Sequence, residues 1–143
     1  MIANIFRSLH ILLVSCVVSS GCLVMLAGCG QGSGVPTLHQ VNGTLTINGK
    51  PAPDLNVVMH VEGNRPSSGL TDANGKFTMY YTSTQTGVVA GENYITLSPA
   101  NGDTELFPIP EEFKEVVERY GEGTKAFKMD IDKDYENFEL NLQ

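Results

Sequence analysis

Hydrophobic residues after position 40 recur at every second place, in short runs that Gly, Asn, Asp and Pro separate. Such alternation puts apolar side chains on one face of a β-strand and polar ones on the other. It predicts a first strand over Val41–Ile47, which ends at Asn48-Gly49, a strong hairpin-turn signal. Pro51 and Pro53 should then bar pairing until a second strand begins at Leu55–Val61.

Two further strands follow in the same pattern. The segment Thr71–Gly75 contains side chains that cap their own backbone and a glycine able to take positive φ, so it predicts a tight turn. A third strand should run over Lys76–Tyr81 and a fourth over Tyr94–Ser98. The side chains of the third strand expected to face inward are Phe77, Met79 and Tyr81.

The period changes to that of a helix after Pro108-Ile109-Pro110. Acidic residues crowd the following turn, where the helix dipole favours them, and Gly121 supplies a stop signal. The sequence therefore predicts one short helix over Glu111–Tyr120. Its apolar residues at helical spacing are Phe113, Val116, Val117 and Tyr120.

The last two alternating runs are Phe127–Ile131 and Phe138–Leu142. We expect Lys133–Asn137 to form the turn between them, which would make a C-terminal hairpin. Six or seven short strands with regular turn signals indicate an all-β fold, an antiparallel β-sandwich of the immunoglobulin-like or transthyretin-like type with one short helix. A closed barrel is the alternative architecture.

The first 28 residues differ from the rest. A positive start at Arg7 leads into apolar runs at Ile11–Val18 and Leu23–Leu26, the order of a secretory signal peptide. The apolar stretch is interrupted and shorter than the roughly 20 residues that a membrane span needs. A single-span membrane protein is the alternative interpretation.

The four residues Leu26–Cys29 resemble the lipobox of bacterial lipoproteins, in which small residues admit the peptidase and the cysteine is acylated. Ser19–Cys22 is a weaker rival, with Ser where Leu is expected. We therefore predict a signal peptide over 1–28, lipidation of Cys29, a flexible tether over 29–38 and a domain over 39–143. Several acyl chains together hold a protein stably at a membrane, which implies a site in the cell envelope, on the periplasmic face or the cell surface.

Cysteines and charge narrow the class of protein. All three cysteines, Cys16, Cys22 and Cys29, lie before the predicted domain, which then has no thiol to pair internally. The chain has a formal net charge of −7, and after Cys29 eight basic residues stand against sixteen acidic ones. Nucleic-acid binding depends on clustered Lys and Arg, so we exclude it.

Several motifs together resemble the carboxypeptidase-regulatory-like, or transthyretin-like, domains of small planctomycete-type lipoproteins. These are Val41–Leu45, Asn48–Pro51, Thr71–Phe77, Gly91–Ile95 and Asn137–Leu142. The resemblance covers residues 39–143 and implies the sandwich fold, but no catalytic residue comes with it. The departure is the segment 101–123, which is longer, more acidic and more helical than the family pattern and is a candidate for specificity of its own.

Acids at alternate positions in Asp130, Asp132 and Asp134 look like the start of an EF-hand loop. The loop then needs Gly and Glu, but Tyr135 and Asn141 stand there, so an EF-hand is rejected. Weak Ca²⁺ binding by Asp130, Asp132, Asp134 or Glu136 is kept as an alternative to a solvated strand face. His39 and His60 lack partners at ligand spacing, so we expect no zinc or copper site and no cofactor.

No nucleophile motif is visible, so we expect a non-enzymatic protein that binds envelope proteins or glycans. The alternatives are an accessory domain or small hydrolase of the periplasm and a weak calcium-binding adhesion domain.

Tyr80 and Tyr81 are either one core and one surface residue or a sugar-stacking platform. The acidic residues of the predicted helix segment are either a docking face or a solvated one. They are Glu111, Glu112, Glu115, Glu118 and Glu122.

Overall fold

A computed structural model describes residues 36–100, 105–106 and 108–143. Within them lie one helix, α1 (Glu111–Arg119), and twelve strands, numbered in chain order. The strands are β1 (Leu38–His39), β2 (Val41–Ile47), β3 (Lys50–Pro51), β4 (Leu55–Val61), β5 (Ser67–Leu70), β6 (Lys76–Thr78), β7 (Tyr80–Thr82), β8 (Gln85–Thr86), β9 (Val88–Val89), β10 (Gly91–Pro99), β11 (Phe127–Ile131) and β12 (Tyr135–Leu142).

The strands form two main sheets. The larger has six strands in the order β11-β10-β4-β5-β7-β8, all antiparallel. The smaller places β2 at its centre, with β12 on one side and with β3 and β6 on the other. A separate pair, β1 with β9, completes the set. The described residues form a mostly antiparallel β-sandwich, as the alternation predicted.

The core is built from the inward residues of both sheets. Leu45 and Ile47 of β2 are completely buried, and so are Val57 and Met59 of β4. Burying each of these side chains contributes on the order of 1.5–3 kcal/mol. The alternation that predicted the strands therefore also identified the face that stabilises them.

Turn chemistry fixes the connections. Asn48 and Gly49 both have positive φ, 53° and 78°, as a two-residue hairpin turn requires. In the next turn Asp72 Oδ1 accepts hydrogen bonds of 2.8 Å from the backbone N–H groups of Asn74 and Lys76. Both predicted turns are confirmed.

Helix α1 is confirmed within one residue of its predicted end. Its buried residues Phe113, Val116 and Val117 belong to the sandwich core. The Leu97 N–H donates to the Tyr120 carbonyl at 2.8 Å, which attaches the end of the helix to β10. The helix is thus an integral part of the hydrophobic core.

The predicted C-terminal hairpin is wrong. β11 pairs antiparallel with β10 in the larger sheet, whereas β12 pairs parallel with β2 in the smaller one. The intended turn is also too long, because Tyr135 already belongs to β12. The two strands are consecutive in sequence, yet the chain crosses from one sheet to the other between them.

Two smaller predictions also need correction. Pro51 does not bar pairing, because Lys50–Pro51 forms the short edge strand β3 against Thr46 and Ile47. The third predicted strand is broken at Met79, where the chain passes from β6 in the smaller sheet to β7 in the larger one. The twelve strands within the described residues exceed the predicted six or seven mainly because several strands have only two to four residues.

Candidate functional site

A wide surface groove lies where β5 and β7 of the larger sheet meet β2, β6 and β12 of the smaller one. Its volume is about 790 Å³, within the range of about 300 to 1,000 Å³ that small-molecule sites occupy. The chain turns from one sheet into the other at Met79, beside the groove. At this corner the Thr78 carbonyl lies so close to Gly69 that a Cβ there would approach it to 2.5 Å.

One side of the groove carries an exposed apolar strip formed by Leu70 and Tyr80. These side chains are 54% and 47% exposed. Tyr80 lies opposite Ser68 in the ladder, and Leu70 is two residues further along β5 on the same face. Such diagonal neighbours lie roughly 7–8 Å apart, within reach of an aromatic side chain. The two side chains therefore lie on the same face of the sheet, at the same side of the groove.

The other side of the groove is polar. Lys76 of β6 and Glu139 of β12 both lie opposite Thr44 of β2, one on each side. Thr78 donates a 2.8 Å hydrogen bond to Asn42 Oδ1 beside them. The side chains of Thr44, Lys76 and Glu139 have no hydrogen-bond or ion-pair partner among the described residues. The groove thus offers unpaired donors and acceptors facing a hydrophobic strip.

Tyr81 is separated from this strip. It is half-buried, and the Arg65 guanidinium lies 5.6 Å from the centre of its ring. Tyr80 and Tyr81 therefore do not form one paired platform, and Tyr80 alone is presented on the groove.

A second polar cluster lies on the outer face of the larger sheet. The His60 ring stacks on Tyr94 with centroids 4.6 Å apart, and its Nε2 lies 2.9 Å from the hydroxyl of buried Thr96. Lys125 Nζ is 5.2 Å from the centre of the Tyr94 ring. Burial lowers the pKa of His60, and the negative charge of Glu122 opposes that shift. His60 faces outward, as predicted, but it is packed rather than free.

The four calcium candidates do not converge. Asp130 is exposed on β11, Asp132 accepts a 3.0 Å hydrogen bond from the Tyr135 hydroxyl, and Glu136 borders the groove. Asp134 Oδ1 accepts a 2.8 Å hydrogen bond from the Gln40 backbone N–H and lies 3.4 Å from His39 Nδ1. In the described part of the chain, no three His, Cys, Asp or Glu side chains are placed to hold a metal ion together.

One of these contacts changes the ionisation of a neighbour. The Tyr135 hydroxyl donates to Asp132, and this hydrogen bond raises the pKa of Tyr135. Asp132 and Asp134 thus help to fix the short connection between β11 and β12. This structural role explains why they do not gather around one point.

The acidic face of α1 is largely matched by cations. The pairs are Glu111 with Lys114, Glu112 with Lys50, and Glu115 with Arg119. This pairing favours the solvated-face interpretation over a docking face for a basic partner. Since the same helix buries Phe113 and its neighbours, the described part of the segment 101–123 contributes to the core.

The predicted lipidation site, Cys29, and its rival Cys22 lie outside the described residues, as do the signal peptide and most of the tether. Among the residues that the structure does describe, no helix is both long enough and apolar enough to cross a membrane.

The groove itself could not be found from the sequence. The sequence offers Tyr80 as a candidate for stacking on sugars, but nothing in it places this residue beside Thr44 or Glu139.

No protein-family model matches the sequence. No curated protein matches it either. Among solved structures, the chain is similar to the crystal structure of a DUF3823 family protein from Parabacteroides merdae ATCC 43184, with 12% identity and a TM-score of 0.40. The likeness covers 75% of this chain and 46% of that protein, so the chain spans about half of its length. Similarity at this level assigns neither a family nor an activity.

Proposed function

We propose that this chain is a non-enzymatic, lipid-anchored module of the cell envelope whose β-sandwich binds envelope proteins or glycans. The groove carries the proposal. It combines exposed apolar surface at Tyr80 and Leu70 with unpaired polar side chains, the composition of a recognition surface.

The side chains around the groove support binding more than catalysis. A hydrolytic site built on carboxylates needs two of them in environments that push their pKa values apart. The acids that border the groove are Asp72, Glu136 and Glu139, and all three are exposed. Asp72 is engaged in its turn through hydrogen bonds to two backbone N–H groups.

We also propose that the domain belongs to the carboxypeptidase-regulatory-like, or transthyretin-like, group. The turn residues of its motif support this assignment. Asp72 caps the turn, Gly75 takes a φ of 74°, and the Thr71 hydroxyl accepts from the Leu55 N–H at 2.9 Å and donates to the Leu55 carbonyl at 3.1 Å. Each of these three residues thus has a structural role that explains its type.

The anchor is tested by producing the full chain in a bacterial host as wild type, Cys29→Ser and Cys22→Ser. We expect intact mass to show a diacylglyceryl adduct on a wild-type chain that begins at Cys29, and membranes to retain it. Cys22→Ser should behave like the wild type, whereas Cys29→Ser should lose both the adduct and the membrane association. If the wild type is unmodified and keeps its N-terminal segment, the lipoprotein proposal fails.

A further inference from the structure

We infer that the groove binds an uncharged glycan, which stacks on Tyr80 and Leu70 and is held through its hydroxyl groups by the polar side. This inference rests on the proposal that the groove is the binding face of the domain, and it adds the class of ligand.

The first argument is the hydrophobic strip. A pyranose ring presents a flat face of C–H groups, which packs on the face of an aromatic ring, while its hydroxyls point outward. Tyr80 offers such a ring at low entropic cost, because its side chain has only two rotatable angles and a polar tip. Leu70 extends the apolar surface beside it.

The second argument is the set of unpaired polar side chains around the strip. Ser68 lies directly opposite Tyr80 and two residues from Leu70 on the same face of β5, and Asn56 lies opposite Leu70. Neither side chain has a hydrogen-bond partner within the described residues, and both are neutral groups that can donate and accept. They can bind sugar hydroxyls without breaking any internal hydrogen bond.

The third argument is charge. Three carboxylates and one ammonium border the groove, from Asp72, Glu136, Glu139 and Lys76. The whole chain is also acidic, with a formal net charge of −7. Such a surface repels polyanions at ordinary ionic strength. An uncharged glycan therefore fits better than a uronate or phosphate polymer.

An extended peptide fits less well. Peptides that add to a sheet gain much of their affinity from main-chain hydrogen bonds at a free strand edge. The strip instead stands on the face of β5 and β7, and β5 is already paired with β4 on one side and β7 on the other. A ligand stacked on the strip therefore meets side chains of β5 and β7 rather than their unpaired backbone.

The test is calorimetric titration of the purified full chain in micelles of a polyoxyethylene detergent, which contains no sugar. The neutral probes are cellotetraose, maltotetraose, mannotetraose and tetra-N-acetylchitotetraose. Tetragalacturonate is the anionic probe and hexalysine the peptide probe. The variants are Tyr80→Ala, Tyr80→Phe and Leu70→Ser, with Lys114→Ala on the distant helix as the control.

We expect at least one neutral tetrasaccharide to bind the wild type. Tyr80→Ala should weaken that binding by about tenfold, the scale of one aromatic contact, and Leu70→Ser should also weaken it. Tyr80→Phe and Lys114→Ala should leave it close to the wild-type value. Because Tyr80 and Leu70 are half exposed, their variants should melt near the wild-type temperature, which separates loss of binding from loss of fold.

Three outcomes overturn the inference. Binding of hexalysine alone, weakened by Tyr80→Ala, would keep the groove as a binding face and exclude the glycan. Binding of tetragalacturonate in preference to the neutral probes would refute the charge argument. If no probe binds, or if Tyr80→Ala leaves the binding unchanged, both the glycan inference and the proposed role of the groove fail.

Discussion

Gly75 holds the turn between β5 and β6 in a conformation that no other residue fits. Its φ is 74°, and a Cβ built there would lie 2.4 Å from the Leu45 carbonyl oxygen. Gly63 has almost the same φ, 77°, but nothing within 4 Å of that position. We expect Gly63→Ala to cost about 1–2 kcal/mol from the backbone alone. Gly75→Ala should cost about 1–3 kcal/mol more because backbone atoms must move.

Urea unfolding of the two alanine variants measures this difference directly. The pair is matched in φ, so the excess cost at Gly75 reports the close contacts of its new Cβ with the Leu45 carbonyl and with the backbone of Pro51 and Ala52. Equal losses in the two variants would mean that the turn can shift away from Leu45 without disturbing the strand.

His60 predicts a pH dependence of stability. Its pKa is lowered in the folded state because burial against Tyr94 and Thr96 disfavours the imidazolium, although Glu122 acts in the opposite direction. The unfolded chain therefore binds a proton more readily. Neutral His60 therefore contributes to the free energy of unfolding. This contribution is complete above the unfolded pKa of about 6.5 and is lost as the pH falls through the folded pKa.

The measurement compares unfolding free energies of wild type and His60→Gln at about pH 7.5 and pH 5. Gln can keep a hydrogen bond to Thr96 but does not titrate, and His39 and the nearby Lys125 and Lys128 are present in both proteins. We expect the wild type to lose more stability on acidification than the variant. An equal loss of unfolding free energy in the two proteins would show that His60 does not contribute to the pH dependence.

At the scale of elements, two substitutions in α1 test whether this helix contributes to the stability of the core. Phe113 is buried in it, whereas the adjacent Lys114 is exposed and pairs with Glu111. Phe113→Ala should cost about 3–5 kcal/mol, as for other buried aromatic residues. Lys114→Ala should stay within about 0.5 kcal/mol of the wild type. If thermal unfolding shows similarly small losses of stability for both variants, the helix lies outside the hydrophobic core.

The long elements could be predicted from the sequence because local periodicity determines them. β2, β4 and α1 each alternate or repeat over seven or more residues, and their buried faces match the predicted ones. Strands of two residues, such as β3 and β8, carry no period at all. They exist only because a longer neighbour presents free backbone groups.

The pairing of the elements could not be predicted locally. β11 and β12 alternate like the two arms of a hairpin, and only three residues separate them. Their partners are chosen by core contacts with distant segments, β10 for one and β2 for the other. The groove depends on these pairings, because Glu139 approaches Thr44 only through the β12–β2 ladder. The site was therefore beyond the reach of sequence patterns.

At the scale of the whole molecule, β12 completes the smaller sheet. Its Leu140 and Leu142 are buried in the core beside Leu45 and Ile47, which they face in the ladder. We expect a chain that stops after Asp134 to lack the cooperative unfolding transition of the full protein, as followed by circular dichroism. Removal of exposed Gln143 alone should be nearly neutral, since it mainly deprives Arg119 of one hydrogen bond. A sharp transition in the shorter chain would contradict this role for β12.

The parallel ladder of β2 and β12 also determines how the domain bears force. Because the strands run in the same direction, Val41 lies beside Tyr135 at one end and Ile47 beside Leu142 at the other. A load applied between residues 41 and 142 therefore pulls the strands along their length in opposite directions. The ladder bonds are then sheared together rather than unzipped one after another. A domain tethered at one end and gripped at the other would resist extension as a mechanical clamp.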